Sequence, residues 1–187
     1  MIEHRLIYLP VGGAGEIGMN AYVYGYGEAN RERLIIIDLG VTFPDMEGTP
    51  GVDLIFPDIS WLEERCDRIE AIFITHAHED HIGAVAHIWP ELKCKLYATP
   101  FTAALITEKF KEKKIDISSF LKIVPLNSKI KLGDFEIDFV TLTHSILEPN
   151  GLSITTPEGV ILHTGDWKVD PNPLIGNKVD EQKLRSI

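Results

Sequence analysis

Cysteine is nearly absent: Cys66 and Cys94 are the only two in 187 residues, too few for a disulfide framework, and neither has a second cysteine at metal-site spacing. A reducing compartment suits such a chain, and a cytoplasmic protein is expected. Long apolar runs are missing as well. No segment reaches the roughly 18 apolar residues that span a bilayer. Met1 to Arg5 followed by Leu6 to Leu9 is too short an apolar stretch for a secretory signal. Basic charge is in deficit, with 18 Lys and Arg against 28 Asp and Glu and a formal net charge of −10. That balance argues against a broad basic footprint for nucleic acid, although a metal site would neutralise some of the acids. No internal repeat, low-complexity tract or linker interrupts residues 1–187, and 44% hydrophobic content is enough for one respectable core. One domain, or a large part of one, is expected.

The patterning that is present alternates strands with helices. Strand-like runs occupy Arg5 to Leu9, Ala21 to Tyr26, Arg33 to Leu39 and Asp53 to Ile55, separated by loops that contain Gly and Pro. Ser60-Trp61-Leu62-Glu63-Glu64 has the side-chain order of an N-capped helix with an acidic first turn. A strand over Ile69 to Ile74, a helix over Ile82 to Leu92 and a strand over Lys95 to Ala98 follow. Thr99-Pro100 then opens a helix to about Lys113. Lys109, Lys111, Lys113 and Lys114 read as its solvated end rather than as an RNA patch. Beyond Ile123 the pattern returns to strands at Lys129 to Leu132, Phe135 to Val140, Gly151 to Thr155 and Val160 to His163. The class is α/β.

The chemistry concentrates in Thr75-His76-Ala77-His78-Glu79-Asp80-His81-Ile82-Gly83, directly after the apolar run that ends at Ile74. His76, His78, Asp80 and His81 place four metal-ligand side chains within six positions, a donor set that suits Zn²⁺ and similar divalent ions. His76 and His78, two apart in an extended segment, point to one side. Asp80 and His81 lie past the bend and reach a second ion beside the first. A fortuitous surface patch or an expression tag would not join a strand pattern to a helix pattern in mid-chain.

Gly13-Ala14-Gly15-Glu16-Ile17-Gly18 matches the dinucleotide fingerprint G-x-G-x-x-G, and Asp38 stands where a ribose-binding acid would. A helix must open at the third glycine to hold a pyrophosphate. Asn20 to Tyr26 alternates like a strand instead, with tyrosines at 22, 24 and 26, so no dinucleotide is expected. The glycines are read as letting a loop pass close to the metal floor.

His144 and Asp166 each follow a strand pattern, in Thr143-His144-Ser145 and His163-Thr164-Gly165-Asp166, where sites are commonly assembled. Alone each is weak, but beside the cluster they complete it. His76, His78 and His144 supply three nitrogens to one ion, Asp80 and His81 begin the second site, and Asp166 is placed to bridge. His4 and His87 are left without a ligand role, and His163 is given a structural or supporting one.

These residues carry a resemblance. The run Thr75 to His81 with Asp38, His144 and Asp166 is similar to the metallo-β-lactamase superfamily. The stretches Gly12 to Asn20, Phe56-Pro57-Asp58-Ile59, Thr143-His144-Ser145-Ile146 and His163-Thr164-Gly165-Asp166-Trp167-Lys168 resemble the bacterial ribonuclease J family, of the β-CASP group. The resemblance implies an αββα sandwich and a two-zinc hydrolase that cleaves RNA phosphodiesters, as endonuclease and 5′-to-3′ exonuclease. It makes His76, His78, His144 and Asp166 ligands of one zinc and Asp80, His81 and Asp166 ligands of the other, with Mn²⁺ an alternative metal. Asp80 and Asp166 would orient the attacking water, and Asp38 would hold a ligand histidine in its tautomer.

Such enzymes continue into a β-CASP insert, another metal-ligand histidine and a C-terminal region. The chain is accordingly expected to be the N-terminal part of the metallo-β-lactamase domain, incomplete at its C-terminal end. From that follow one tightly held ion at most, little RNA cleavage by the chain alone, and self-association through apolar faces of Phe135 to Val140 and Val160 to Leu162. Two other readings stay open: a small-molecule hydrolase of the same superfamily, acting on a thioester or lactam, and a non-catalytic metal-binding fragment.

Overall fold

A computed structural model describes residues 3–44 and 49–187. Three strands open it: β1 (His4–Gly12), β2 (Ala21–Glu28) and β3 (Arg33–Ile37). Then come α1 (Ser60–Glu63), a 3-10 turn at Cys66–Arg68 and β4 (Ile69–Phe73). The middle contains α2 (Glu79–Ile82), α3 (Val85–Leu92), β5 (Lys95–Ala98), α4 (Pro100–Glu112) and β6 (Leu121–Ile123). The last part contains β7 (Lys129–Leu132), β8 (Phe135–Thr141), β9 (Asn150–Thr156), β10 (Gly159–His163) and α5 (Glu181–Ser186).

β1 to β6 form one sheet in sequence order, antiparallel from β1 to β3 and parallel from β3 to β6; β10-β9-β8-β7 form a second, antiparallel sheet. The all-apolar run Leu34 to Ile37 in β3 follows from burial on both faces. Leu34 and Ile36 turn to the side covered by Leu62 of α1, Val85 and Trp89 of α3, and Ile106 and Phe110 of α4. Ile35 and Ile37 turn the other way, with Ala71 and Phe73, onto Phe135, Ile137, Phe139, Leu152 and Ile154 of the second sheet. The expected αββα order is thus present, and among the described residues α5 alone represents the fourth layer. Its Lys183 Nζ bonds Asp138 Oδ1 and the Phe139 carbonyl. No described helix is long and apolar enough to cross a membrane.

Several sequence expectations need correction. Residues 53–55 do not form a strand: Ile55 makes an isolated bridge to Thr42, because no neighbouring strand offers the rest an edge. β6, which local pattern does not announce, exists because β5 supplies that edge. The helix expected over 82–92 begins at Glu79 and divides at Gly83-Ala84 into α2 and α3. Ser60 is not a cap. Asp58 Oδ1, two residues earlier, accepts from its amide at 2.9 Å. The expected exposed face of Phe135 to Val140 is instead the interior of the sandwich, with Phe135, Ile137, Phe139 and Val140 all buried. On β10 the exposed apolar side chains are Val160 and Leu162. Lys109 is not simply solvated, since its Nζ contacts both Glu79 carboxylate oxygens at 2.7 Å and ties α4 to α2.

Candidate metal centre

The topology brings the cluster together at one rim. Asp38 follows β3 and Thr75 to His78 follow β4, at the carboxyl ends of adjacent parallel strands, where the crossover to the next helix leaves a crevice. β8 and β10 both run antiparallel to β9, so they point the same way and deliver His144 and Asp166 to that rim. Thr143 and Lys168 form a bridge that ties the two delivering loops: Lys168 N donates to Thr143 O at 2.8 Å, and Thr143 Oγ1 donates to Lys168 O at 2.6 Å.

The ligand atoms of His76, His78 and His144 all lie within 4.8 Å of one another, and so do those of His76, His81 and Asp166. His76 Nε2 is 3.0 Å from His78 Nδ1. Asp166 Oδ2 stands between the two groups, 3.5 Å from His81 Nε2 and 3.7 Å from His144 Nε2. Asp80 Oδ2 is 3.5 Å from His81 Nε2. The six residues picked from sequence therefore converge, with His76 close to His81 and Asp166 and with Asp80 beside His81. His163 is buried beside the cluster but not in either group: its ring packs edge-on to Tyr22, and Nδ1 lies 3.1 Å from Tyr24 OH. His87 is exposed on α3 against Phe56, and His4 is exposed on β1.

Beneath the ligands Asp38 is fully buried and in a left-handed conformation, φ 62°. It accepts from Thr75 N and Thr75 Oγ1 at 2.8 Å each and pairs with His81 Nδ1 at 2.7 Å. Burial alone would raise its pKa; the His81 charge and hydrogen bond outweigh burial and hold the carboxyl below its usual range. The same pairing acts on His81, where burial opposes the charged form but Asp38 and Asp166 push the pKa up to about 10. His76 lacks such a partner at close range. Burial, then the His81 charge, drives its pKa down to about 3, and burial beside His78 lowers His144 too. Asp166, hydrogen-bonded to His81, falls to about 2.

This donor set fits a divalent ion: several imidazole nitrogens gathered around a carboxylate that is held ionised are what Zn²⁺ takes, and Mn²⁺ shares those donors. His81 is ready in one further respect, since its Nδ1 is engaged by Asp38 and its Nε2 is turned to the site. Three contributors were not singled out from sequence. Thr75 links Asp38 to His76 Nδ1 at 3.0 Å; Asn20 lies between Asp80 and His81; Gly40 lets the chain approach so closely that a Cβ there would stand 1.6 Å from Asp80 O. Thr75 adjoins the cluster and Asn20 ends the glycine-rich stretch, the only local hints. That stretch does form a loop rather than a helix, and β2 follows it.

The sequence profile of the Metallo-beta-lactamase superfamily matches residues 14–176. Among curated relatives, Ribonuclease J of Sinorhizobium meliloti is 45% identical over 187 residues, 99% of this chain and 33% of the relative. Ribonuclease J of Helicobacter pylori (strain ATCC 700392 / 26695) is 43% identical over 176 residues, 94% of this chain and 25% of the relative. The chain thus spans a third or less of the length of these relatives. Among solved structures, BJP-1, a subclass B3 metallo-beta-lactamase of Bradyrhizobium japonicum, superposes with a TM-score of 0.56 at 21% identity, over 95% of this chain and 66% of that one, a likeness of fold.

Proposed function

The chain belongs to the metallo-beta-lactamase superfamily, and on that premise we propose that it carries the metal-binding, catalytic part of an RNA phosphodiester hydrolase of the ribonuclease J kind. The likeness to Ribonuclease J over nearly the whole chain carries the reading, together with the convergence of five candidate ligands in two groups and of Asp80 beside His81. In the proposed arrangement His76, His78, His144 and Asp166 hold one zinc, and Asp80, His81 and Asp166 the other. Bound ions of this kind stabilise charge developing on phosphoryl oxygens and lower the pKa of water. The protein's own groups do the rest. Asp166, ionised through the whole physiological range, and Asp80 accept hydrogen bonds from the attacking water and orient it for in-line attack. Asp38 fixes the His81 ring, and Thr75 relays the same carboxylate to His76.

Because the chain spans 33% of that relative, the choice between endonucleolytic and 5′-to-3′ cutting is proposed for a polypeptide of the relative's length rather than for residues 1–187. The same holds for the β-CASP insert and the surface that grips RNA. Free thiols at Cys66 and Cys94 support a cytoplasmic setting, and the exposed Val160 and Leu162 on β10 support self-association, which light scattering reads.

The test is the zinc-loaded protein, within a polypeptide of the relative's length, assayed on a 5′-monophosphorylated RNA oligomer and on a thioester side by side. RNA hydrolysis that disappears in Asp80→Ala supports the proposal. Thioester turnover without RNA cleavage favours the small-molecule hydrolase, the reading that a net charge of −10 suits. Metal bound with neither activity means a metal-binding module.

A further inference from the structure

We propose that Asn20, held by Tyr22 and given room by Gly13, is a positioning residue that sets Asp80 and His81 for the second ion; this rests on the metal-centre reading above. Asn20 is 9% exposed. Its backbone is fastened on both sides: Asn20 N donates to Asp80 O, and Gly40 N donates to Asn20 O, each at 2.9 Å. Its side chain is fastened as well. Tyr22 OH donates to Asn20 Oδ1 at 3.0 Å, and the Asp80 carboxylate at the other end, an acceptor only, requires Nδ2 on its side. There Nδ2 donates to Asp80 Oδ2 at 3.2 Å and lies 3.1 Å from His81 Nε2.

One amide thus spans the two groups that belong to the second ion and to no other part of the centre. By bonding Oδ2 of Asp80, which lies 3.5 Å from His81 Nε2, it stops the partly exposed carboxylate from turning freely and holds that oxygen, with a lone pair to spare, beside the ring. The amide adds no charge, so it does not compete for the ion. Gly13 explains itself in the same terms. Its φ is +82°, and a Cβ there would stand 2.6 Å from both Asn20 Oδ1 and Tyr22 OH, inside the hydrogen bond that orients the amide. The glycine-rich stretch that imitates a dinucleotide fingerprint is, at this position, space cleared for the Tyr22 to Asn20 bond.

Stepwise uptake of Zn²⁺ and Co²⁺ by the metal-free protein, in competition with a chromophoric chelator, tests this in the parent, Asn20→Ala and Tyr22→Phe, with metal-free Tm measured alongside. In Asn20→Ala the second binding step should weaken about 10- to 100-fold while the first holds within about threefold. Tyr22→Phe should weaken the same step by a smaller factor, with Tm nearly unchanged, and it decides alone should Asn20→Ala not fold. Parallel weakening of both steps together with Tm overturns the proposal, because Asn20 would then be structural only. So does a second step unmoved in both variants, or a parent that takes no second ion at millimolar metal. A parent that binds no ion at all fails the metal-centre reading itself, whereas two intact steps insensitive to both variants fail this proposal alone.

Discussion

His76 and His81 sit with ring centroids 4.0 Å apart, both buried, and burial has opposite outcomes for them. Around His76 the near neighbours are other imidazoles, and desolvation carries its pKa down to about 3. Around His81 the desolvation is the same in kind, but Asp38 at 2.7 Å and Asp166 outweigh it, and the pKa rises to about 10. Depth in the fold therefore does not set protonation here; the placement of carboxylates does. In the metal-free protein at neutral pH His76 and His144 offer bare nitrogens, while His81 keeps a proton that a cation placed against it would have to displace.

The most severe break in this contrast is His76→Ala, since His76 belongs to both groups. Metal affinity at the first step and any RNA hydrolysis of the parent should fall by more than about 100-fold, with a smaller loss at the second step and the far-UV circular dichroism retained; hydrolysis within about tenfold of the parent would sink the assignment. Asp38→Asn should instead make the two histidines alike. Without that carboxylate, desolvation of His81 is opposed only by Asp166 and Asp80, and the ring should titrate well below 10, closer to His76, read by NMR of the ring nitrogens; a His81 still titrating near 10 would mean that Asp166 and Asp80 hold the proton without Asp38.

Calorimetry of zinc uptake at pH 8, in buffers of different ionisation enthalpy, should show about one more proton released with the second ion than with the first. Equal release at both steps would contradict the contrast. Stability follows the same group. The folded pKa of His81 lies above its unfolded 6.5, so its contribution is complete below that pH and is lost as pH rises toward about 10. Urea midpoints of the metal-free protein should fall across that window, and Asp38→Asn should flatten the decline; an equally steep decline in the variant would assign it to another group. The smallest effect is expected from Lys109→Ala. Its partner Glu79 is about half exposed, so the lost ion pair should cost less than about 1 kcal/mol and leave both histidine titrations in place.

Much of the centre was legible because ligand chemistry crowds unusual residues together. His76, His78, Asp80 and His81 fall in six positions, a density between a strand and a helix that suits a metal site. His144 and Asp166 were found from their places just past strand ends, and the structure puts them at the same rim. The misses share one cause, dependence on a distant partner. β6 is a strand because β5 accepts it, and residues 53–55, with a comparable pattern, have a single bridge. The apolar face of β8 looked unclaimed until Ile35, Ile37 and Phe73 of the other sheet covered it. Asn20 has no local mark of its role, because its partner Asp80 lies 60 positions away.

Local order of side chains was enough to indicate most of the element types, the six candidate ligands and the superfamily, since strand alternation, helix periodicity and metal-ligand spacing are all properties of near neighbours along the chain. Tertiary structure alone decided which of His76 and His81 burial leaves neutral and which a carboxylate holds charged, how close His76 comes to His81 and Asp166, and why Gly13 and Gly40 have no side chains. Those outcomes depend on distances of a few ångströms between residues far apart in sequence. Asp38 and His81 are 43 positions apart, and only the pairing of β3 with β4 brings that carboxylate to 2.7 Å from the ring.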